Sequence, residues 1–302
     1  MKNKFKIGFF GDEVWAHNCL KFLLNDKSLD IKFICGRYKT KDKKLKKIAE
    51  KNKIKFYKEK NINNSKFLKI LKKEKLDLVV SMSFDQIFKK KIINLVNKKI
   101  INCHAGKLPF YRGRNVLNWV LINGEKEFGI TTHFISKKID EGDVIMQKKF
   151  LIKRNDDYST LLRKSHKECA KILFQTIKKI QSKRFKSVPQ KKLSKNFSYF
   201  KKRIKGDEII NLKQKSFQIK NFVKALVEPG PLARLKLKNN NQILIQKVSI
   251  LKKKSLISQL SKKNLKLIDK KLYFKSIDLK IIRIDAWKSI KPINSNFMSL
   301  NI

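Results

Sequence analysis

The chain has 302 residues, 41% of them hydrophobic and 33% charged, with a formal net charge of +51. That length carries one large domain or two modest ones; the charged fraction argues for a soluble protein, and no run of about 18 uncharged apolar residues offers a membrane span. Lysines run from Lys2 to Lys291 on every predicted element alongside Ile, Asn and Phe, as an AT-rich coding sequence produces, whereas a nucleic-acid binder concentrates its basic residues on a face or in a tail. A charge of this sign still attracts any phosphate-bearing substrate.

The N-terminal stretch MKNKFKIGFFGDEVW reads as a first strand, KIGFF (6–10), and not as a signal peptide, because Gly11, Asp12 and Glu13 interrupt its apolar patch. A helix follows with Cys19, Leu20, Leu23 and Leu24 as its apolar positions. IKFICG (31–36) is a second strand, LKKIAEKNKI (45–54) a helix, KFY (55–57) a strand, and FLKILKKEK (67–75) a helix. LDLVVSMSF (76–84) is β-branched and almost uncharged, as a strand covered on both faces should be. A helix over 88–97 leads to KIINCH (99–104), again strand-like. This alternation predicts a Rossmann-like, doubly wound, mainly parallel α/β sheet.

GITTHFI (129–135) and VIMQKKFLI (144–152) form two more strands around SKKIDEGD, before an amphipathic helix from about Asp157 to Gln181. Residues 182–205 lose periodicity and read as a linker, which sets expected bounds of 1–183 for a first domain, 184–205 for the linker and 206–302 for a second. That second domain starts with a helix over 217–226 and a PGP turn. Strands ARLKLK, QILIQKVSI, KLYFKS and KIIRIDAW then predict a small β-barrel. Four widely spaced cysteines, Cys19, Cys35, Cys103 and Cys169, form no C-x-x-C pair. They predict reduced thiols in a cytoplasmic protein, and no metal-ligand spacing is present.

The stretch INCHAGKLPFYRG (101–113) gathers residue types that are rare elsewhere in the chain. On a strand, Asn102 and His104 share one face while Cys103 points away. The thiol and the imidazole therefore cannot cooperate as a nucleophile and base. Two polar groups at the carboxyl end of a buried strand stand where open α/β sheets bind ligands. Gly106, Pro109 and Gly113 fix a loop able to run close to a ligand. For His104 the plainer alternative is a ring satisfied by a backbone carbonyl in a turn. An imidazole in a working role needs a third group to orient it, and IDEGDV (139–144) supplies carboxylates; a polar hairpin turn is the plainer reading of that stretch. GFFG (8–11) lacks the G-x-G-x-x-G run of a dinucleotide site, and Phe110 and Trp119 read as packing residues.

NCHAGKLPFYRGRNVLNWVLINGEKEFGITTHFI…IDEGDVI resembles the core of the formyltransferases that use N10-formyltetrahydrofolate, a family that includes methionyl-tRNA, glycinamide ribonucleotide and sugar N-formyltransferases. The matching positions are Asn102, His104, Leu108–Pro109, Arg112–Gly113 and Asp140, the last 36 residues after His104. The resemblance implies formyl transfer from 10-formyltetrahydrofolate, with no metal, to a primary amine. It makes Asn102, His104 and Asp140 the catalytic set. It also implies that Ser83, Phe84, Gln86, Ile87 and Phe88, in a turn similar to the one whose backbone holds the pterin, meet the cofactor. The same holds for Ala105, Gly106 and Lys107, and for Ile139, Glu141, Gly142 and Asp143. Tyr111, Arg112, Gly113 and Arg114 are the substrate-side candidates, with Lys107 and Arg114 suited to phosphate. FKKRIKGDEIINL…IKNFVKALVEPGP (200–231) resembles the start of the family's OB-like C-terminal domain.

The resemblance leaves the amine open. RGRNVLNWVLING (112–124) is close to the sugar-amine enzymes, which implies a nucleotide-linked amino sugar. Gly36-Arg37-Tyr38-Lys39-Thr40 leaves no room for the long basic loop of the methionyl-tRNA enzymes. Initiator Met-tRNA is the alternative, favoured by length and charge, and a non-catalytic RNA-binding protein on the same fold is a third reading, whose affinity would collapse with salt.

Overall fold

The computed structural model describes residues 3–238, 241–251, 260, 264–292 and 297–300. The chain divides into two compact units, one of residues 1–113, 128–150 and 163–200, the other of 114–127, 151–162 and 201–302.

The first unit opens with strand β1 (Phe5–Gly11), helix α1 (Glu13–Asn25), β2 (Leu29–Gly36), α2 (Lys43–Lys51), β3 (Lys55–Lys58), α3 (Ser65–Lys73), β4 (Leu78–Met82), α4 (Lys90–Leu95) and β5 (Ile100–His104). After a two-residue β6 (Arg112–Gly113) and helix α5 (Val116–Ile122) come β7 (Glu127–Phe134), β8 (Val144–Leu151), α6 (Tyr158–Gln181), α7 (Gln190–Leu193) and β9 (Tyr199–Phe200). The seven-stranded sheet has the order β3-β2-β1-β4-β5-β7-β8. Strands β1 to β5 pair parallel, and β5 pairs antiparallel with β7. The sheet is therefore mixed but mainly parallel, and every residue of β4 is buried, as helices on both faces require. Under it, Phe10 meets Phe33, Phe67, Phe84 and Phe88 edge to face at centroid distances of 5.0 to 6.0 Å, geometry that the ring quadrupoles favour.

Three helices of this unit end two or three residues earlier than the sequence pattern predicts, among them α3, which stops at Lys73 and not at 75. Helix α2 stops at Lys51, not 54, because Lys53 takes a left-handed φ of 55°; α4 covers only Lys90–Leu95, before Asn97 and Lys98 at 50° and 60°. The stretch 184–205, expected as a linker, carries α7 and β9, and β9 pairs parallel with β6. One helical turn and a two-residue strand are too short for hydrophobic periodicity to register.

In the second unit, α8 (Ser216–Ala225) is followed by β10 (Ala233–Lys236), β11 (Gln242–Leu251), β12 (Asn264–Ile268), β13 (Lys271–Lys275), β14 (Ile281–Ser289) and β15 (Phe297–Ser299). They make an antiparallel half-barrel of order β10-β11-β14-β13-β12-β15, with an isolated bridge between Leu237 and Leu300 joining its two edges. Strands β12 and β15 lie in stretches to which the sequence reading assigned no strand. Asn118 on α5 donates to the Ala225 carbonyl at 2.6 Å and so satisfies an orphan acceptor at the end of α8. Among the described residues no helix is long and apolar enough to cross a membrane.

Candidate active site

Strand β5 presents its residues alternately to the two faces of the sheet. Cys103 donates to the Cys169 carbonyl at 3.6 Å from the α6 side, where burial pushes its thiol well above the ordinary range. That chemistry is inert, since the thiolate is the reactive form. Asn102 and His104 face the other way. In register, Asn102 stands opposite His133 of β7 and His104 opposite Thr131. His104 Nε2 lies 2.6 Å from the Tyr111 carbonyl; a carbonyl only accepts, so Nε2 carries a hydrogen. Gly106 makes room for this bond, because a Cβ there would sit 2.4 Å from Nε2 and 2.5 Å from the Tyr111 oxygen.

Asp140 enters from the turn between β7 and β8. Its backbone is left-handed at φ 53°, a conformation that Asp adopts more readily than most residues. Its Oδ2 lies 3.6 Å from His104 Nδ1 and accepts from the Gly113 N–H at 2.9 Å. Its Oδ1 lies 3.4 Å from His133 Nε2. Burial by itself opposes ionisation, but His104, His133 and the Gly113 amide together hold this carboxyl well below the usual carboxylate range. His133 Nδ1 donates to the Phe134 carbonyl at 2.8 Å, and its Nε2 is 3.3 Å from Asn102 Nδ2. The Asn102 amide nitrogen carries two hydrogens, either of which a ligand oxygen can accept. Three elements thus bring an amide, two imidazoles and an ionised carboxylate together at the end of β5.

The Asp140 turn is braced from behind. Gln190 of α7 donates to the carbonyls of Asp140 (2.7 Å) and Gly142 (2.8 Å), and its own oxygen accepts from the Arg112 guanidinium at 2.8 and 3.1 Å. Arg112 also donates to Glu141 at 3.0 Å, and its guanidinium lies over the Phe197 ring, 4.7 Å from the centroid. Gly142 is obligatory, since a Cβ there would fall 1.7 Å from the Phe134 oxygen. Ser198 accepts from the Tyr111 and Arg112 amides at 2.8 and 3.0 Å, and Phe200 stacks on Tyr111 at 5.1 Å.

The remaining candidates are placed as follows. Ser83, at φ 58°, opens the turn after β4 and is gripped by Arg37, whose guanidinium donates to its carbonyl (2.9 Å) and hydroxyl (2.6 Å). The Phe88 side chain is in the core with Phe84 packed against it, and Ile87 is exposed. Gln86 spends its amide on the Ile62 N–H and the Glu59 carbonyl. Side chains of this turn are therefore largely committed, which leaves its backbone to meet a ligand. Ala105 and Lys107 flank Gly106, and Lys107 runs close over Gly129. Ile139 is exposed, and the Asp143 carbonyl accepts from Phe134 N. Tyr111 and Arg112 are buried and engaged, Gly113 gives its N–H to Asp140, and Arg114 is exposed.

Sequence reasoning did not single out His133, Gln190 or Arg37. The chain has only four histidines, and scarcity alone marked His133. Gln190 carried no signal, since its role depends on contacts about 50 residues away.

Residues 30–177 match the family model described as formyl transferase. A bifunctional polymyxin resistance protein, ArnA, of Wigglesworthia glossinidia brevipalpis is 36% identical over 188 residues, 62% of this chain and 28% of that protein. A methionyl-tRNA formyltransferase of Caldanaerobacter subterraneus subsp. tengcongensis is 35% identical over 169 residues, 56% of this chain and 54% of that protein. The chain thus spans about half or less of the length of these curated relatives. Among solved structures, the sugar 3N-formyltransferase WlaRD, described with dTDP and 5-N-formyl-THF, matches at TM-score 0.67 and 25% identity over 96% of this chain and 99% of its own. An N-formyltransferase from Helicobacter canadensis shares the fold at TM-score 0.71 and 22% identity over 93% and 98% of the two chains.

Proposed function

From the premise that this chain belongs to the formyltransferase family, we propose that it transfers a formyl group from 10-formyltetrahydrofolate to the primary amine of a nucleotide-linked amino sugar. The observation that carries the reading is the meeting of Asn102, His104 and Asp140 at the carboxyl end of β5. The donor set suits the formyl donor: the Asn102 amide and the His104 ring bring polar groups to the end of β5, and the Ser83–Phe88 turn and the 105–107 and 139–143 loops offer backbone for the folate. Bound folate supplies the activated formyl group. A neutral amine forms a bond to the formyl carbon, the bond from that carbon to N10 breaks, the amine loses a proton, and N10 takes one up. Asn102 and His104 stabilise the formyl oxygen as charge builds there, which is the largest contribution in acyl transfer. Asp140 faces the His104 ring and helps take up the amine's proton, directly or through water.

The sugar-amine acceptor is supported by the match to WlaRD along nearly the whole chain, and by the short turn at Gly36–Thr40. Initiator Met-tRNA remains the second reading, supported by the methionyl-tRNA formyltransferase relative. The half-barrel with its joined edges supports an OB-like reading of the C-terminal unit. Four free, buried cysteines suit a cytoplasmic setting.

The test supplies formyl-folate with either a panel of nucleotide-activated amino sugars or charged initiator tRNA, and follows tetrahydrofolate release. Turnover with a sugar is expected; turnover with tRNA alone overturns the acceptor, and none with either overturns the reaction. His104→Ala and Asp140→Asn are each expected to cost on the order of 10²–10³ in rate, and near-normal turnover in both would mean the roles are misassigned.

A further inference from the structure

The segment that leads out of α7 carries two aromatic rings that the fold leaves in the open. Phe197 is 62% exposed and Tyr199 48%. They stand on one side of an extended stretch, while Ser198 and Phe200 turn to the other side and fasten it to the catalytic loop. Ser198 accepts from the Tyr111 and Arg112 amides, Phe200 stacks on Tyr111, and β9 pairs with β6. One face of Phe197 rests on the Arg112 guanidinium, and the next residue, Gly113, donates to Asp140. The open rings are therefore held rigidly, one contact removed from the catalytic carboxylate.

The segment that carries them has charge of one sign. Residues 183–200 contain Lys183, Arg184, Lys186, Lys191, Lys192 and Lys195 and no acidic residue. Lys191, Lys192 and Lys195 are exposed. A fixed aromatic surface fringed with lysines fits a ligand with one planar ring and adjoining negative charge. Rings fixed beforehand also spare a ligand the ordering cost of binding.

We infer that Phe197 and Tyr199 are the stacking platform for the base of the acceptor's nucleoside diphosphate, with Lys191, Lys192 and Lys195 meeting its phosphates; this rests on the nucleotide-linked reading above. The base lies outside the reacting centre, so its contacts govern acceptor affinity and leave the formyl donor untouched. The platform accepts a base of any identity, because stacking takes any π-face and the lysines, as point charges, read phosphate and not sequence.

The experiment measures calorimetric binding of thymidine, uridine and guanosine diphosphates, and of 5-formyltetrahydrofolate, to the full chain and to Phe197→Ala, Phe197→Trp and Lys191→Ala/Lys192→Ala/Lys195→Ala variants. The wild type is expected to bind at least one diphosphate. Phe197→Ala should weaken it about tenfold or more, Phe197→Trp should restore it, and the triple lysine variant should bind more weakly and with a shallower salt dependence. Folate affinity should stay the same in all, which also shows that the variants are folded. Diphosphate binding equal in wild type and Phe197→Ala overturns the platform while sparing the nucleotide-linked reading. Failure of the wild type to bind any of the three, with formylation of Met-tRNA intact, overturns both.

Discussion

At Asp140, two opposing effects meet on one side chain. Burial disfavours its charge, yet two imidazoles and an amide more than reverse that, so the carboxyl titrates well below the ordinary range. A carboxyl in the unfolded chain titrates near 3.9. A folded value below that contributes stability that is fully present above the unfolded value and is lost as pH falls through the folded one. Denaturant titrations of wild type and Asp140→Asn are therefore expected to show a stability gap that is constant from neutral pH to about pH 5 and closes below about pH 4. A gap that ignores pH would mean the imidazoles do not stabilise the carboxylate. The same residue was readable in part from the sequence. Asn102 and His104 share a face by simple alternation, and a strand ending in two polar groups is expensive unless they have partners. His133 was not readable, because its part depends on the register that sets it opposite Asn102 across an antiparallel pair, and nothing local announces register.

Among the elements, the short connection after β2 does more than join. Arg37 holds both the carbonyl and the hydroxyl of Ser83, and Asp12 and Glu13 lie 3.8 and 3.6 Å from its guanidinium. Hydrogen bonds to charged groups contribute roughly 1.5–3 kcal/mol each, and these act on the turn proposed to hold the folate. Arg37→Ala is expected to raise the KM for formyl-folate about tenfold or more, with kcat and the acceptor KM nearly unchanged, and to speed hydrogen exchange at 83–88. An unchanged folate KM would remove Arg37 from that role. Long elements such as β4 and α6 were visible as buried runs or amphipathic stripes. The ends of α2 and α4 were not, since left-handed residues such as Lys53 and Asn97 are not Gly and give no warning. Nor were α7 and β9, whose value to the site lies in Gln190 and Phe200 and not in any pattern of their own.

For the molecule as a whole, the two compact units are interleaved along the chain. Residues 114–127 and 151–162 count with the C-terminal unit, and α5, between two strands of the first sheet in sequence, gives Asn118 to the end of α8. A cut at residue 183 looks natural from the sequence because periodicity fades there. A fragment of residues 1–183 would nonetheless strand Val116, Leu117, Val120 and Leu121, all buried in the full chain, and would also lose Gln190. It is expected to aggregate or unfold at temperatures where the full chain is stable, as followed by circular dichroism and light scattering. A fragment as stable as the full chain would show that α5 does not depend on α8.

Gly142 lies so tightly against the Phe134 oxygen, and Gln190 draws so firmly on the carbonyls of Asp140 and Gly142, that the hairpin crest has no slack. One added residue lengthens a chain by roughly 3.3–3.6 Å, as much as the 3.4 and 3.6 Å over which Asp140 now faces the two rings. The acid is thus metered by loop length as strictly as by its own identity, and an insertion between 135 and 142 would disarm the centre while leaving every reacting side chain in the sequence.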